Sequence, residues 1–322
     1  MQTNSSKVWE NINDFFTNTA GAGMGMYGSY HWLYISSAIA LVILWLFSFR
    51  KATRNQVRGL MILSWILLFL NEILLHQLGA WAAVKVGTDL HYNYGYAPAG
   101  PGALMLWVLP LFFLLPFEKW EDMLKPVIGI SSILIGGMLL IYPSAVFATK
   151  NAAWILYSLI EASIVFALGS YLVLKNKIAL KSPWTYIHYI IGMSVIILVA
   201  LCLNGIVFAG SGKNYEIAAG WDFMKVSYYS MPPKIYTYFA AIFGTNLYST
   251  AWQVSVLVGY GIVLIFGALL PYAIFASLFT PLVSELDKRY YESIEAEEAE
   301  KRECCCCTKS QKTCEVETVK VA

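Results

Sequence analysis

Charged residues are scarce in this sequence: they make up 13% of its 322 residues, against about 25% in an ordinary soluble domain. Hydrophobic residues make up 58%, and they fall in blocks of about 20 rather than at the short periods of half-buried strands or helices. The scarcity of charge excludes an ordinary soluble domain and predicts an all-α, polytopic integral membrane protein. A net charge of +2 gives no reason to expect a nucleic-acid partner.

The sequence also lacks a cleavable signal peptide. Residues 1–29 contain no basic segment followed by an apolar one, so we expect the first membrane helix to direct insertion. The apolar blocks then predict a seven-helix bundle over residues 30–281. The third helix is short for a crossing and holds two prolines. The predicted spans are residues 30–49, 58–82, 102–117, 123–147, 153–174, 184–210 and 250–280.

Basic residues predict the orientation of these spans. Of the 22 lysines and arginines, 16 fall in the loops 50–58, 118–125 and 175–181 or in the tail, residues 282–322. Because basic loops concentrate on the cytoplasmic side, we expect the N-terminal segment 1–29 outside and the acidic, Cys-rich tail in the cytoplasm. We expect the membrane to be the plasma (cell) membrane.

The outer connections, residues 85–101 and 211–249, are long and rich in aromatic residues. Aromatic side chains concentrate at the membrane–water interface, which favours a cap at the level of the lipid headgroups. A lid over a cavity that opens outward is the alternative interpretation.

The second span carries the clearest candidate functional residues, Glu72 and His76. An ionisable side chain inside a membrane span is costly, and it therefore indicates a functional site by default. The two residues are four apart, so they share one helix face. The standard helical rise places Glu72 roughly 15 Å and His76 roughly 9 Å inside the outer end of the span.

Three other polar residues are predicted at a similar depth: Glu161 in span five, Asn204 late in span six, and His31 at the outer start of span one. A polar network that fixes helix packing would explain Asn204 and His31. For the carboxyls of Glu72 and Glu161, a packing role and a ligand-binding role both remain open. The candidate ligand-binding residues are Glu72, His76, Glu161, Asn204 and His31.

The order of motifs along the chain resembles the YwaF-like integral membrane proteins, a family that also includes animal transmembrane protein 164. The resemblance covers most of residues 30–280. The motifs are, in order, His31 in GSYHWLY, Arg58 and Glu72 in span two, Leu-Pro-Leu at 109–111, Pro143 closing span four, Asn204 in span six, and Asn214-Tyr215 beyond it.

The resemblance implies acyl transfer between lipids, which animal members are linked to through a membrane-embedded Cys–His pair. Those family positions fall on Leu114 and Phe112 here, and a further family His falls approximately on Glu161. A thiolate nucleophile needs a Cys with a basic partner. The only Cys of the membrane region is Cys202, which we expect to be a buried apolar thiol. No catalytic residue is therefore predicted.

Five cysteines lie in the tail: Cys304, Cys305, Cys306, Cys307 and Cys314. A reducing cytoplasm argues against structural disulfides. Binding of a soft metal ion, S-acylation and the absence of any specific role remain open.

The leading functional prediction is a membrane protein that binds a lipid or small molecule in an outward-opening polar cavity. Glu72, His76 and Glu161 would recognise a polar or cationic head, and no cofactor is expected. One alternative is a lipid acyltransferase or hydrolase that uses Glu and His as acid and base. The other is a proton-coupled transporter, against which the lack of an inverted repeat counts.

Overall fold

The structure, a computed structural model, is helical wherever its described residues form regular secondary structure, and these residues contain no β-strand. This confirms the prediction of an all-α protein. The described residues are 4–17, 25, 27–87, 98–99, 102–115, 117–142, 151–175, 177–178, 182–214, 223–225, 258–259, 261–263 and 265–308.

Within these described ranges, six helices are long and apolar enough to cross a membrane, if α3, the turn after it and α4 are counted as one. The helices are α1 (Asn4–Thr17), α2 (Ser29–Ser48), α3 (Arg54–Glu72), a π-helical turn (Ile73–Gln77), α4 (Leu78–Val86), α5 (Leu104–Leu114), α6 (Glu118–Ile141), α7 (Ala152–Leu174), α8 (Pro183–Gly210) and α9 (Leu269–Thr308). A 3₁₀ turn spans Phe223–Lys225.

Five of the seven predicted spans correspond to long helices whose ends differ by a few residues from the prediction. The third span corresponds to α5, which has 11 residues and is therefore only roughly 16 Å long. Residues 250–257 of the seventh predicted span and residues 143–147 of the fourth lie outside the described residues. The predicted boundary between membrane domain and tail, at residue 282, lies inside the continuous helix α9.

Helix α5 contains Pro110, which cannot donate a hydrogen bond to the carbonyl of Leu106 four residues earlier. In a membrane protein no water replaces the missing donor, so another group must supply it. Trp65 on α3 does so, since its Nε1–H donates to the Leu106 oxygen at 3.0 Å. This bond holds α5 against α3.

Helices α6 and α7 form the buried centre of the bundle. Gly136 and Gly169 lie where their backbones meet most closely. A Cβ atom on Gly136 would lie 2.6 Å from the backbone nitrogen of Phe166, and one on Gly169 would lie 2.9 Å from the carbonyl oxygen of Gly129. Small residues at such crossings let membrane helices pack at short range.

Helix α3 begins with a capping box at one end of the bundle. The Thr53 side chain accepts from the backbone amide of Gln56, and the Gln56 side chain accepts from the backbone amide of Thr53. In the first turns of α3, Arg54 and Arg58 both ion-pair with the buried Glu121 of α6, with 2.7 Å between Arg54 Nε and Glu121 Oε2. The starts of α3 and α6 therefore lie at the same end.

Helix α9 is fixed to this same end by Asp287. Its carboxylate forms an ion pair with Arg50, just after α2, with 2.9 Å between Arg50 Nε and Asp287 Oδ1, and accepts from Lys175 Nζ at 2.5 Å, just after α7. The Arg50 guanidinium also lies 3.8 Å from the ring centre of Tyr290.

At the opposite end, α1 packs across α4 and the start of α7. The Phe16 ring occupies the space beside Gly79, where a Cβ atom would lie 2.7 Å from it. Asn151 caps α7 by accepting from the Trp154 amide at 2.9 Å, and its side-chain amide donates to the carbonyl of Phe16. The N-terminal segment therefore contains a docked helix that the sequence pattern did not predict.

Candidate functional site: a carboxyl pair beside a π-helical turn

The site is built on a π-helical turn that begins directly after Glu72. A π-helical turn closes its hydrogen bonds over five residues instead of four, and such turns occur frequently at functional sites. Gln77, five residues after Glu72, consequently reaches it: Gln77 Nε2 donates to Glu72 Oε1 at 2.5 Å. His76 reaches the same oxygen, with 2.8 Å from Nδ1, as the four-residue spacing predicted.

Helix α7 supplies the third donor to Glu72. The Tyr157 hydroxyl donates to Glu72 Oε2 at 2.7 Å, and the backbone carbonyl of Tyr157 accepts from Asn71 Nδ2 at 3.0 Å. The His76 imidazole stacks on the Tyr157 ring at 4.5 Å between centroids and meets the Trp154 ring edge-on at 5.0 Å. Glu72 therefore has three hydrogen-bond donors on its two oxygens and is held in one position.

Glu161 lies one helical turn beyond Tyr157 on α7 and is 6% exposed. Its carboxyl interacts electrostatically with the Tyr157 hydroxyl and with Glu72. On its other side is Gly102, two residues before α5, where a Cβ atom would lie only 2.8 Å from Glu161 Oε2. Only glycine fits there without displacing the carboxyl.

The cluster has more acidic than basic groups. Its described residues contribute the two carboxyls of Glu72 and Glu161 and one imidazole, that of His76, and His76 is bonded to Glu72. Within the described part of the chain, no Lys or Arg forms an ion pair with either carboxyl. An isolated charge in a low-dielectric interior is costly, so Glu161 needs a proton or a bound cation.

His31, the residue predicted at the head of span one, has a structural position. Its Nδ1 accepts from the Tyr27 amide at 2.9 Å, and its Nε2–H donates to the Leu140 carbonyl at 2.6 Å near the end of α6. The imidazole ties the start of α2 to the end of α6, and it does not hydrogen-bond to Glu72 or Glu161.

The hydrogen bonds of Asn204 that fix its side chain are, like those of His31, made to backbone groups and not to the two carboxyls. Its side chain accepts from the Phe223 amide at 2.7 Å and donates to the Phe223 carbonyl at 3.2 Å, which fixes the 3₁₀ turn to α8. Next to it, the Met224 amide donates to the Ala99 carbonyl at 2.7 Å, and the Phe223 ring packs edge-on against Trp107. The two outer connections therefore meet near the start of α5.

The two positions at which the resemblance places the family's His and Cys are apolar. Phe112 is buried in the core, and Leu114 is 67% exposed on the surface of the bundle. The expectation that Cys202 is buried is wrong: its side chain is exposed on α8.

The tail cysteines are only partly described. The backbone of residues 304–307 continues helix α9, and Cys314 lies outside the described residues. In the described portion, no three His, Cys, Asp or Glu side chains are grouped so as to hold a metal ion. Metal binding or acylation at these cysteines stays a prediction.

Sequence reasoning found Glu72, His76 and Glu161 but missed Gln77, Tyr157 and Gly102. Gln77 joins the cluster only because of the π-helical turn, for which the sequence has no signal. Tyr157 is one of 21 tyrosines, but its position one turn before Glu161 could have singled it out.

Comparisons with protein-family models, with curated proteins and with solved structures found no match to this chain. The geometry therefore carries the functional argument. An apolar groove of about 780 Å³, on another side of the bundle, includes none of the five predicted site residues.

Proposed function

We propose that this protein is a YwaF-like, seven-span protein of the plasma membrane that binds the cationic head of a lipid or small molecule at Glu161. The observation that carries the proposal is the pairing of two buried carboxyls with a single imidazole. Glu72 has three donors, so it positions Tyr157 and His76 rather than contacting the ligand. Glu161 is the carboxyl left to bind a cation.

The ion pairs support the count of seven crossings. Glu121 joins the starts of α3 and α6, so the chain between them must return to its original side. Helix α5 makes that return, beginning near Glu161 and leading to α6. Ahead of its first residue the backbone at 98–99 and at 102–103 is not helical. Irregular backbone is tolerated at membrane depth only where protein or a cavity surrounds it. The amino terminus is proposed to lie outside because the basic loops lie at the Glu121 end.

Native mass spectrometry tests this proposal directly. The purified protein is released from nanodiscs, and any retained small molecule is then identified under denaturing conditions. We expect a molecule with an ammonium or other cationic group on the wild type and at least a tenfold lower occupancy on Glu161→Gln, because a charge-assisted contact is lost. Glu118→Gln, a change at an exposed carboxyl of α6, is the matched control and should retain it. Equal occupancy on Glu161→Gln would contradict the proposal.

A proton-coupled transporter is the second candidate function, and the irregular backbone favours it. A shortened α5 and a π-helical turn both lie beside the carboxyl pair, and broken helices beside a buried site are typical of transporters. Proteoliposomes with an internal pH dye separate the two functions. Pumped or substrate-driven proton flux that Glu161→Gln abolishes would establish transport, whereas binding without flux supports the leading proposal. Acid–base catalysis by Glu72 and His76 would instead appear as lipid turnover that Glu72→Gln abolishes.

A further inference from the structure

A small pocket lies at the end of the bundle where Glu121 joins α3 to α6. Its volume is about 180 Å³, and both polar and apolar atoms are exposed in its wall. Complete ligand pockets measure roughly 300–1,000 Å³, so this pocket has room for one chemical group rather than for a whole ligand. Its charged lining residues are Arg54, Glu118, Glu121, Lys125 and Lys177.

Three cationic side chains from three separate segments meet at this pocket. Arg54 is the first residue of α3 and is held by Glu121, with 2.7 Å between Arg54 Nε and Glu121 Oε2. Lys125 lies in the second turn of α6. Lys177 follows α7, where its backbone amide donates to the Leu172 carbonyl at 2.9 Å. Each of the three is therefore positioned by a helix or by the hydrogen bonds that end one.

The charge of Lys177 is not neutralised within the described part of the fold. Its Nζ donates to the backbone carbonyl of Ala52 at 3.3 Å, and no carboxylate among the described residues forms an ion pair with it. The side chain is half-buried, so water does not fully solvate it. A lysine ammonium has three donors, which leaves donors for an anion in the pocket.

The net charge around the pocket indicates a singly charged anion. Glu121 and its two arginines together carry one positive charge, and Lys125 is neutralised by Asp122 at 2.7 Å. Lys177 adds one positive charge and the exposed Glu118 one negative charge, which leaves a net charge of +1. A phosphodiester carries one negative charge and has oxygens that accept charge-assisted hydrogen bonds.

The surroundings of the pocket favour a lipid as the source of this group. Arg54 begins a candidate membrane span, so the pocket lies where lipid headgroups meet hydrocarbon. In the chain between the lining residues Phe112 and Glu118, Leu114 and Phe117 are both 67% exposed and offer apolar surface to acyl chains. Basic pockets between membrane helices are typical sites for anionic headgroups.

We propose that this pocket binds the phosphodiester group of an anionic membrane lipid, with Lys177 as its ion-pair partner and Arg54 and Lys125 in the wall. The acyl chains stay in the bilayer, which is why a pocket of this size is sufficient. The site lies at the opposite end of α3 from Glu72 and does not rest on the proposed cation site at Glu161.

A lipid titration followed by native mass spectrometry tests the proposal. The full-length protein is delipidated in detergent and titrated with phosphatidylglycerol or with zwitterionic phosphatidylcholine. We expect one phosphatidylglycerol to bind the wild type about tenfold more tightly than phosphatidylcholine does. Lys177→Gln should weaken phosphatidylglycerol binding about tenfold, because a charge-assisted contact is lost. Lys177→Arg keeps the charge and should retain the binding.

Two further variants distinguish this pocket from general attraction to a basic surface. Lys119→Gln is the matched control, because Lys119 is an exposed cation in the first turn of α6 that does not line the pocket. It should bind phosphatidylglycerol like the wild type. Glu118→Gln removes a negative charge from the wall and should tighten binding about two- to threefold, a gain that a packing role does not predict.

Three results would overturn the proposal. The first is equal binding of phosphatidylglycerol by the wild type and by a Lys177→Gln protein whose thermal unfolding without lipid matches the wild type. The second is an equal loss in Lys119→Gln, since the attraction would then belong to the whole basic surface. The third is displacement of the lipid by an excess of inorganic phosphate, which would make a free phosphate the ligand; we expect the lipid to stay bound.

Discussion

Glu121 and Glu161 are both buried carboxyls in an apolar bundle, but their surroundings differ. Glu121 ion-pairs with Arg54 and Arg58, so its charge is neutralised within the fold. Glu161 has a tyrosine hydroxyl and a second carboxyl as neighbours and, among the described residues, no Lys or Arg as an ion-pair partner. The first arrangement fixes helices together. The second needs a proton or a cation from outside the chain, and this is what distinguishes a packing contact from a binding site.

The largest expected effect is the loss of the Glu121 ion pairs. Glu121→Gln leaves two guanidinium groups without their carboxylate and should destabilise the protein by about 2–3 kcal/mol, less than a fully buried triad because Arg54 is partly exposed. Thermal unfolding in detergent micelles measures this. Ligand occupancy at Glu161 should stay unchanged, and a loss of occupancy would mean that the two regions are coupled.

Removing the Tyr157 hydroxyl should have the next largest effect. Tyr157→Phe deletes a donor to a carboxylate, and such a hydrogen bond is about twice as strong as one to a neutral acceptor. We expect a loss of about 2 kcal/mol in stability. Tyr171→Phe is the control, because it removes a 3.1 Å bond to the neutral carbonyl of Phe49 and should cost about half as much. Equal losses would argue against an ionised Glu72.

Gly102→Ala tests the close approach to Glu161. The added Cβ must displace the carboxyl by some tenths of an ångström, so we expect about 1 kcal/mol of destabilisation and weaker ligand binding. Glu161→Asp, with its shorter side chain, should relieve the destabilisation when combined with Gly102→Ala. A double-mutant cycle of unfolding free energies measures the coupling, and purely additive effects would contradict the contact.

The smallest expected loss of stability is for a hydrogen bond between two uncharged groups. It gives a reference value for the bonds to charged groups. Trp65→Phe removes the donor to the Leu106 carbonyl and should cost about 0.6–1 kcal/mol. Pro110→Ala restores a backbone N–H that can take its place, so the double variant should recover the stability of Pro110→Ala alone. If Trp65→Phe lowers the unfolding free energy equally in the wild type and in Pro110→Ala, then Trp65 does not stabilise the protein through this hydrogen bond.

The sequence predicted the parts of the fold and site that depend on composition and regular spacing. Apolar blocks located five of the long helices within a few residues, and the four-residue spacing predicted the contact of Glu72 with His76. Depth along the spans placed Glu161 at about the level of Glu72 but left open whether the two carboxyls meet, and in the structure they interact electrostatically. These are properties of a regular helix, for which rise and periodicity are fixed.

The other features depend on departures from the regular helix or on helix rotation. Depth alone grouped His31 and Asn204 with the carboxyls, but rotation directs them to Leu140 and Phe223. The sequence showed that the third span is short, but it gave no signal for the reduction of α5 to 11 residues or for the π-helical turn. Nothing in the sequence pattern singles out Glu121, because its ion pairs with Arg54 and Arg58 join two helices that are far apart in the chain.

The most direct test of the central claim is the thermal stability of Glu161→Gln beside Glu121→Gln, both measured after extensive delipidation. If Glu161 is an uncompensated carboxyl that needs a ligand, the stripped Glu161→Gln protein should unfold at the same temperature as the stripped wild type or above it, while Glu121→Gln unfolds well below it. A loss of stability in Glu161→Gln as large as that in Glu121→Gln would contradict the account and make Glu161 a packing residue.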